Sequence, residues 1–258
     1  MRHIFIRRYL SVCTLLWSPL CAMHISPDEA AAMGRAIFQN ECSGQVDKLV
    51  WWNKGENFAS LGIGHFIWYP KGARGQFEET FPALLMFLKE NRVTLPKWLD
   101  TCEGCPWESR ELFLNSDARK KELQELLART MALQAAFIGQ RFAQSTNKIL
   151  SSVCEEKRAR VKQQIARLEH SPQGRFALID YLNFKGAGTS VTERYAGKGW
   201  GLRQVLEEIP ENTDNPVAAF TATAKALLQQ RVQNAPLERH EERWLPGWLA
   251  RVDRYLKS

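Results

Sequence analysis

Glu41 is the first residue whose type and placement could do chemistry. It follows Ile37 by four positions, so it continues the apolar line of a helix rather than its wet face. Partial desolvation favours the protonated form of a carboxyl, and a protonated carboxyl near neutral pH can donate to a departing oxygen as a general acid. The same position also suits an ordinary solvated glutamate at a helix end. Downstream, Phe58-Ala59-Ser60-Leu61-Gly62-Ile63-Gly64-His65-Phe66 sets two glycines one residue apart between a hydroxyl, Ser60, and an imidazole, His65. Glycines so spaced let a bent strand pass close to a ligand without Cβ crowding. His65 reads either as a structural imidazole within a turn or as a neighbour that tunes Glu41. Two further carboxyls are candidates for a second catalytic group: Glu56, and Glu193 in the loop Thr192-Glu193-Arg194-Tyr195. Asn53, Asn183, Lys185 and Tyr195 lie near these groups in sequence and are candidate substrate contacts, with the two basic residues Lys185 and Arg194 suited to carboxylates.

Indole faces stack well on the C–H faces of sugar rings. Trp51, Trp52 and Trp68 flank the glycine-rich stretch and are the aromatic candidates for such contact, whereas Trp244 and Trp248 read as core. No second histidine or carboxylate stands at ligand spacing from His65, so no metal site is expected, and no cofactor motif is found.

The Ser60–His65 stretch, with Glu41 ahead of it, resembles the glutamate and Thr/Ser-hydrophobic-Gly-x-Gly-His signature of phage-type lysozymes (endolysins) within the lysozyme-like superfamily. The segment Ala177-Leu178-Ile179-Asp180-Tyr181-Leu182-Asn183-Phe184-Lys185-Gly186 is similar to the buried helix on the far wall of such clefts, and so is the Gly201–Leu206 helix after it. The resemblance touches about 60 of the 258 residues. It implies cleavage of the β-1,4 glycan bond of peptidoglycan, with Glu41 as acid and glycan strands as partner. In phage-type lysozymes an aspartate stands where this chain has Asn53, beside Lys54. An amide can orient water or substrate but cannot act as base. The departure leaves Glu56 as a substitute, or a single-acid route of the kind lytic transglycosylases use. It also admits two other readings: a non-catalytic wall-binding or wall-assembly protein that keeps the cleft, and a glycosidase for another amino-sugar polymer.

The elements that must position these groups follow from caps and periodicity. Ser26-Pro27-Asp28-Glu29 is a capping box with proline in the first turn, and it opens a helix predicted to run to about Asn40. Val46–Tyr69 reads as short strands and turns, Phe77–Asn91 as helix and Pro96–Trp107 as a loop. Apolar residues three and four apart predict one long helix over Ala118–Leu150, followed by helices at Glu156–Leu168, Phe176–Phe184, Gly201–Ile209, Val217–Gln233 and Pro246–Lys257. The expected fold class is mainly α (α+β): a single lysozyme-like, two-lobed domain over 23–258 with a small β-region beside the cleft.

Residues 1–22 have the order of a secretory signal: basic Met1–Tyr9, apolar Leu10–Leu20, then small Ala22. The expected location is periplasmic or secreted. Removing Arg2, Arg7 and Arg8 takes the formal charge from +7 to +4, too small and scattered to argue for nucleic acid. Beyond the leader no apolar run is long enough to span a membrane. Cys42, Cys102, Cys105 and Cys154 remain, an even number that predicts disulfides in an oxidising compartment: a local Cys102–Cys105 bridge, and Cys42–Cys154 as one option.

Overall fold

The structure is a computed structural model that describes residues 25–257 except Gln76 and Thr192, and leaves the Asp117 side chain undescribed. The leader expected at 1–22, with Cys13 and Cys21, lies outside the described residues.

Ser26 caps the first helix as expected, its Oγ accepting from the Glu29 amide at 3.3 Å. The Glu29 carboxylate does not close the capping box; it pairs with Arg175 Nε at 2.5 Å. Helix α1 (Pro27–Cys42) runs two residues past the predicted end and stops where Ser43 turns left-handed at φ 52°. Glu41 therefore belongs to its last turn. A 3₁₀ turn, Val46–Leu49, leads into an antiparallel sheet of β1 (Val50–Trp51), β2 (Ala59–Leu61) and β3 (Phe66–Trp68). Its register pairs Trp51 with Ser60, and Ser60 with Ile67.

Next come α2 (Phe81–Glu90), the short α3 (Lys97–Asp100) and α4 (Arg110–Leu114), then α5 (Asp117–Arg129) and α6 (Met131–Ser152). The single helix predicted over Ala118–Leu150 is thus two. Thr130 interrupts it at φ −111°, ψ 14°, with its hydroxyl donating back to the Leu126 carbonyl at 2.8 Å. A hydroxyl that satisfies a carbonyl of the preceding turn offers the backbone an alternative to the helical ladder. Helices α7 (Glu155–Glu169) and α8 (Pro172–Lys185) follow as predicted. The segment around Glu193, read as a loop, runs into a hairpin of β4 (Arg194–Tyr195) and β5 (Lys198–Gly199). Its turn residues Ala196 and Gly197 both have positive φ, the geometry that matches the twist of the flanking strands. Helices α9 (Leu202–Glu208), α10 (Pro216–Asn234) and α11 (Leu245–Asp253) complete the order, α11 running into a 3₁₀ turn, Arg254–Leu256.

The protein is mainly helical, with small sheets. Helices α1 and α6 pack against each other extensively, and Gly34 leaves room for the backbone of α6: a Cβ there would stand 2.9 Å from the Met131 carbonyl oxygen. Helix α8 is buried all round from Phe176 to Tyr181, just under two turns in its middle, which is why that segment reads as a nearly continuous apolar run. Among the described residues no helix is long and apolar enough to cross a membrane.

The disulfides expected from the cysteine count are not formed. All four described cysteines are free: Cys42 is buried at the end of α1 and Cys154 is exposed at the start of α7, while Cys102 Sγ donates to the Gly104 carbonyl. Burial pushes the Cys42 and Cys105 thiols up to about 12, so neither is a ready thiolate.

Candidate functional site

Helix α1 delivers Glu41 to the place where the β-region, α8 and α11 meet. The carboxylate is 14% exposed. Its Oε1 accepts from Arg251 Nη2 of α11 at 2.6 Å and from Asn183 Nδ2 of α8 at 3.2 Å. Its Oε2 faces Nδ1 of His65 at 3.8 Å. Three sequence candidates are thereby brought together: Glu41, His65 and Asn183. Glu41 is ion-paired, rather than the unpaired carboxyl in an apolar setting that its position on the helix suggests.

His65 is held by the turn joining β2 to β3. Its amide donates to the Gly62 carbonyl at 3.2 Å, and both Gly62 (φ 69°) and His65 (φ 48°) are left-handed. Gln134 of α6 locks this turn: its Oε1 accepts from the Ile63 amide at 2.9 Å, and its Nε2 donates to Leu127 and Thr130. A Cβ on Gly62 would collide with that same Oε1, so glycine is required there on two counts. Gly62→Ala should therefore destabilise the protein by at least about 1–2 kcal/mol from the left-handed backbone alone, read as a lower midpoint in urea with an unchanged slope. An unchanged midpoint would show that the turn is not fixed as described.

Beneath Oε1 lies a buried network that sequence reasoning missed. Asp180, on α8, has no exposed surface. Its Oδ2 accepts from Arg251 Nε at 2.9 Å and from the Tyr255 hydroxyl at 2.7 Å, and its Oδ1 accepts from Arg251 Nη2 at 2.8 Å and Asn40 Nδ2 at 3.3 Å. Arg251 also lies over the Phe184 ring at 4.2 Å. Despite desolvation, the Asp180 and Glu41 carboxylates hold the guanidinium above its ordinary range, and burial beside Asp180 raises the Tyr255 hydroxyl well above its own. A signal for Asp180 was present: a charge inside a fully apolar helical run must be paired. Nothing in the local sequence of Arg251 names its partner.

A cavity of about 400 Å³ adjoins the Glu41 site; His65, Asn183, Gly186, Glu78, Arg141 and Lys148 are among its lining residues. Glu193 is exposed, and its Oε2 lies 3.7 Å from where a Cβ on Gly186 would stand, which brings that carboxylate to the cavity margin. Glu78, on the same cavity, is paired with Arg141 at 2.9 Å.

Other candidates are placed elsewhere. Asn53 donates to Glu56 Oε2 at 3.1 Å and accepts from the Trp51 indole at 2.8 Å, so Glu56 is tied into the loop after β1 and has no contact with Glu41. Trp52 and Trp68, expected to meet a sugar, are core residues at 2% and 1% exposure. Trp52 packs on Phe113 and donates to the Glu56 carbonyl, and Trp68 packs on Phe81 and Trp107. Trp51 is the exposed member of the three. Ser60 is buried in β2 and has no face to offer a ligand. Tyr195 donates to Glu241 at 2.9 Å and packs at a tilt on Trp200, beside the Arg231–Glu241 pair. Trp244, read as core, is exposed, and Trp248 is half-buried.

Lys185 is half-buried, with its Nζ 3.4 Å from the Trp248 ring centroid and 4.0 Å from that of Phe184. Burial, with the Arg231 and Arg251 guanidiniums near it, pushes this ammonium down to about 6, although the indole face favours the charged form and opposes the drop. The Lys185 of the folded protein thus sheds its proton well below the unfolded value of about 10.4. Between these limits the unfolded chain binds more protons, so this residue makes stability rise as pH rises from about 6 towards 10. Lys185→Met should flatten that rise, as measured by urea melts of both proteins at pH 6, 7.5 and 9. Parallel curves for the two proteins would mean that Lys185 stays charged.

Among the described residues no group of three or more histidines, cysteines and carboxylates is placed to hold a metal ion. Comparison with protein-family models, curated proteins and solved structures finds no match to this chain.

Proposed function

We propose that this protein is an exported enzyme of lysozyme-like, two-lobed fold that cleaves the β-1,4 glycan bond of peptidoglycan, with Glu41 as general acid. The observation that carries this reading is a largely enclosed carboxylate at the end of a helix, facing the His65 of a Gly-x-Gly-His turn and the Asn183 of a buried helix, beside an open cavity. Asn183 and Arg251 fix the orientation of the carboxylate, which is what an acid needs to meet a glycosidic oxygen. Glu193, whose carboxylate lies close to the cavity-lining Gly186, is the candidate for a second group. A separation of about 5–5.5 Å between two carboxyls suits a retaining route, and about 6.5–9.5 Å an inverting one. Without a second carboxylate Glu41 serves first as acid and then as base, and a substrate hydroxyl closes the ring.

The pairing of Glu41 with Arg251 also supports a second reading: a wall-binding protein in which the carboxylate is structural. Mass spectrometry of purified sacculi incubated with the protein separates these outcomes. Ends that are 1,6-anhydro mark the single-acid route, and reducing ends mark hydrolysis. Sacculi that bind the protein but release no fragments would establish the wall-binding reading in place of the enzyme.

A further inference from the structure

The two oxygens of Glu41 are committed differently. Oε1 takes both the guanidinium of Arg251 and the amide of Asn183. Among the described residues, the one polar partner of Oε2 is the His65 imidazole. An oxygen already accepting from a cation is a poor seat for a proton, so the acidic proton of Glu41 belongs on Oε2. On an inverting route, where a second carboxylate activates the water, the proton that Glu41 gives up is not returned to it by the reaction and must be loaded from solvent for each turnover.

His65 is built for that loading. Its side chain is 43% exposed and lines the cavity, and its Nδ1 stands 3.8 Å from Oε2. Its ring has no other hydrogen-bond or charge partner among the described residues, unlike an imidazole kept for structure. The backbone that carries it is fixed by the left-handed turn and by Gln134. The groups facing the pair are Arg251 from α11 and Asp180 and Lys185 from α8, with Glu78, Arg141 and Lys148 around the cavity.

We propose that His65 is the proton relay of Glu41, carrying a proton from solvent through its ring to Oε2. This rests on the glycan-cleaving reading above, by its inverting route. The ring starts as the neutral Nδ1–H tautomer; Nε2 takes a proton from hydronium, which leaves as water, and Nδ1 gives its proton to Oε2. The ring, left neutral as the Nε2–H tautomer, resets by exchange with solvent, Nε2 releasing a proton to water as Nδ1 takes one up. No bond other than N–H and O–H forms or breaks. At 3.8 Å the transfer needs a small rotation of the ring or one intervening water. His65 is a positioning residue in this scheme: it touches Glu41, and Glu41 touches the substrate.

The test uses His65→Asn and His65→Gly, since asparagine and glycine both tolerate the left-handed backbone at this position. Initial rates are measured on soluble glycan fragments with the full mature chain, with and without added imidazole. Both variants should lose at least about tenfold in kcat at neutral pH, with KM little changed and the deficit shrinking towards pH 5, where solvent supplies the proton directly. Imidazole should restore His65→Gly in proportion to its concentration. A wild-type rate in His65→Asn would overturn the relay, and so would a loss in a folded His65→Gly that imidazole leaves untouched. If His65→Gly does not fold, the pH profile of His65→Asn decides alone, and a uniform loss across pH overturns the proposal. Failure of the parent reading looks different: the wild type itself then releases no fragments, and the relay falls with it.

Discussion

Glu41→Gln should lower the rate of glycan cleavage by about 10²–10⁴-fold while leaving the protein folded. The amide keeps an oxygen that can accept from Arg251 and Asn183, and Arg251 retains the Asp180 carboxylate as its counter-ion. Stability should therefore change by less than about 1–2 kcal/mol, within the ordinary range for one substitution. Dye release from labelled sacculi gives the rate, and a thermal melt gives the control. Cleavage that persists at the wild-type rate in a folded Glu41→Gln protein would remove Glu41 as the acid. An unfolded variant would instead mean that the carboxylate serves the Arg251 network first.

Asp180→Ala should be among the most destabilising single changes available in this fold. Asp180 is the fully enclosed acceptor for Arg251, Tyr255 and Asn40. Its removal leaves a buried guanidinium with only Glu41 as partner, and breaking a buried pair in this way costs about 3–5 kcal/mol. At about 2–4 °C per kcal/mol for a chain of this size, the melting temperature should fall by roughly 6–20 °C. Placing Arg251→Met on the Asp180→Ala background should recover part of that loss, because the stranded charge is gone. If the double variant melts at the sum of the two single losses, Asp180 and Arg251 are energetically independent and the network as described is wrong.

Much of the fold was legible because it rests on short-range signals. The Ser26 cap, the apolar run of α8 and the paired glycines before His65 each follow from residues within a few positions of one another. The break at Thr130 was not, because the apolar spacing continues across it and only the hydroxyl-to-carbonyl bond marks the corner. Of the site, Glu41 and His65 were readable from their own neighbourhoods. Trp52 and Trp68 were misjudged for the opposite reason: an indole suits a sugar face and an aromatic core equally, and the sheet turned both inward. The cysteine count predicted bridges, but pairing depends on which thiols the fold brings together, and Cys42 and Cys154 are set in quite different surroundings. Arg251 was invisible because its partners lie 71 and 210 positions away.

That last separation bears on when the site is completed. Closing a loop of 210 residues costs more entropy than closing the short loops of the β-region, so the Arg251–Glu41 contact is expected after the local ones. Helix α1 and the β2–β3 turn can be in place while Glu41 still lacks the guanidinium that orients it. A nascent chain would thus hold both Glu41 and His65 without the group that orients the carboxylate, and the arrival of α11 would be the event that completes the site.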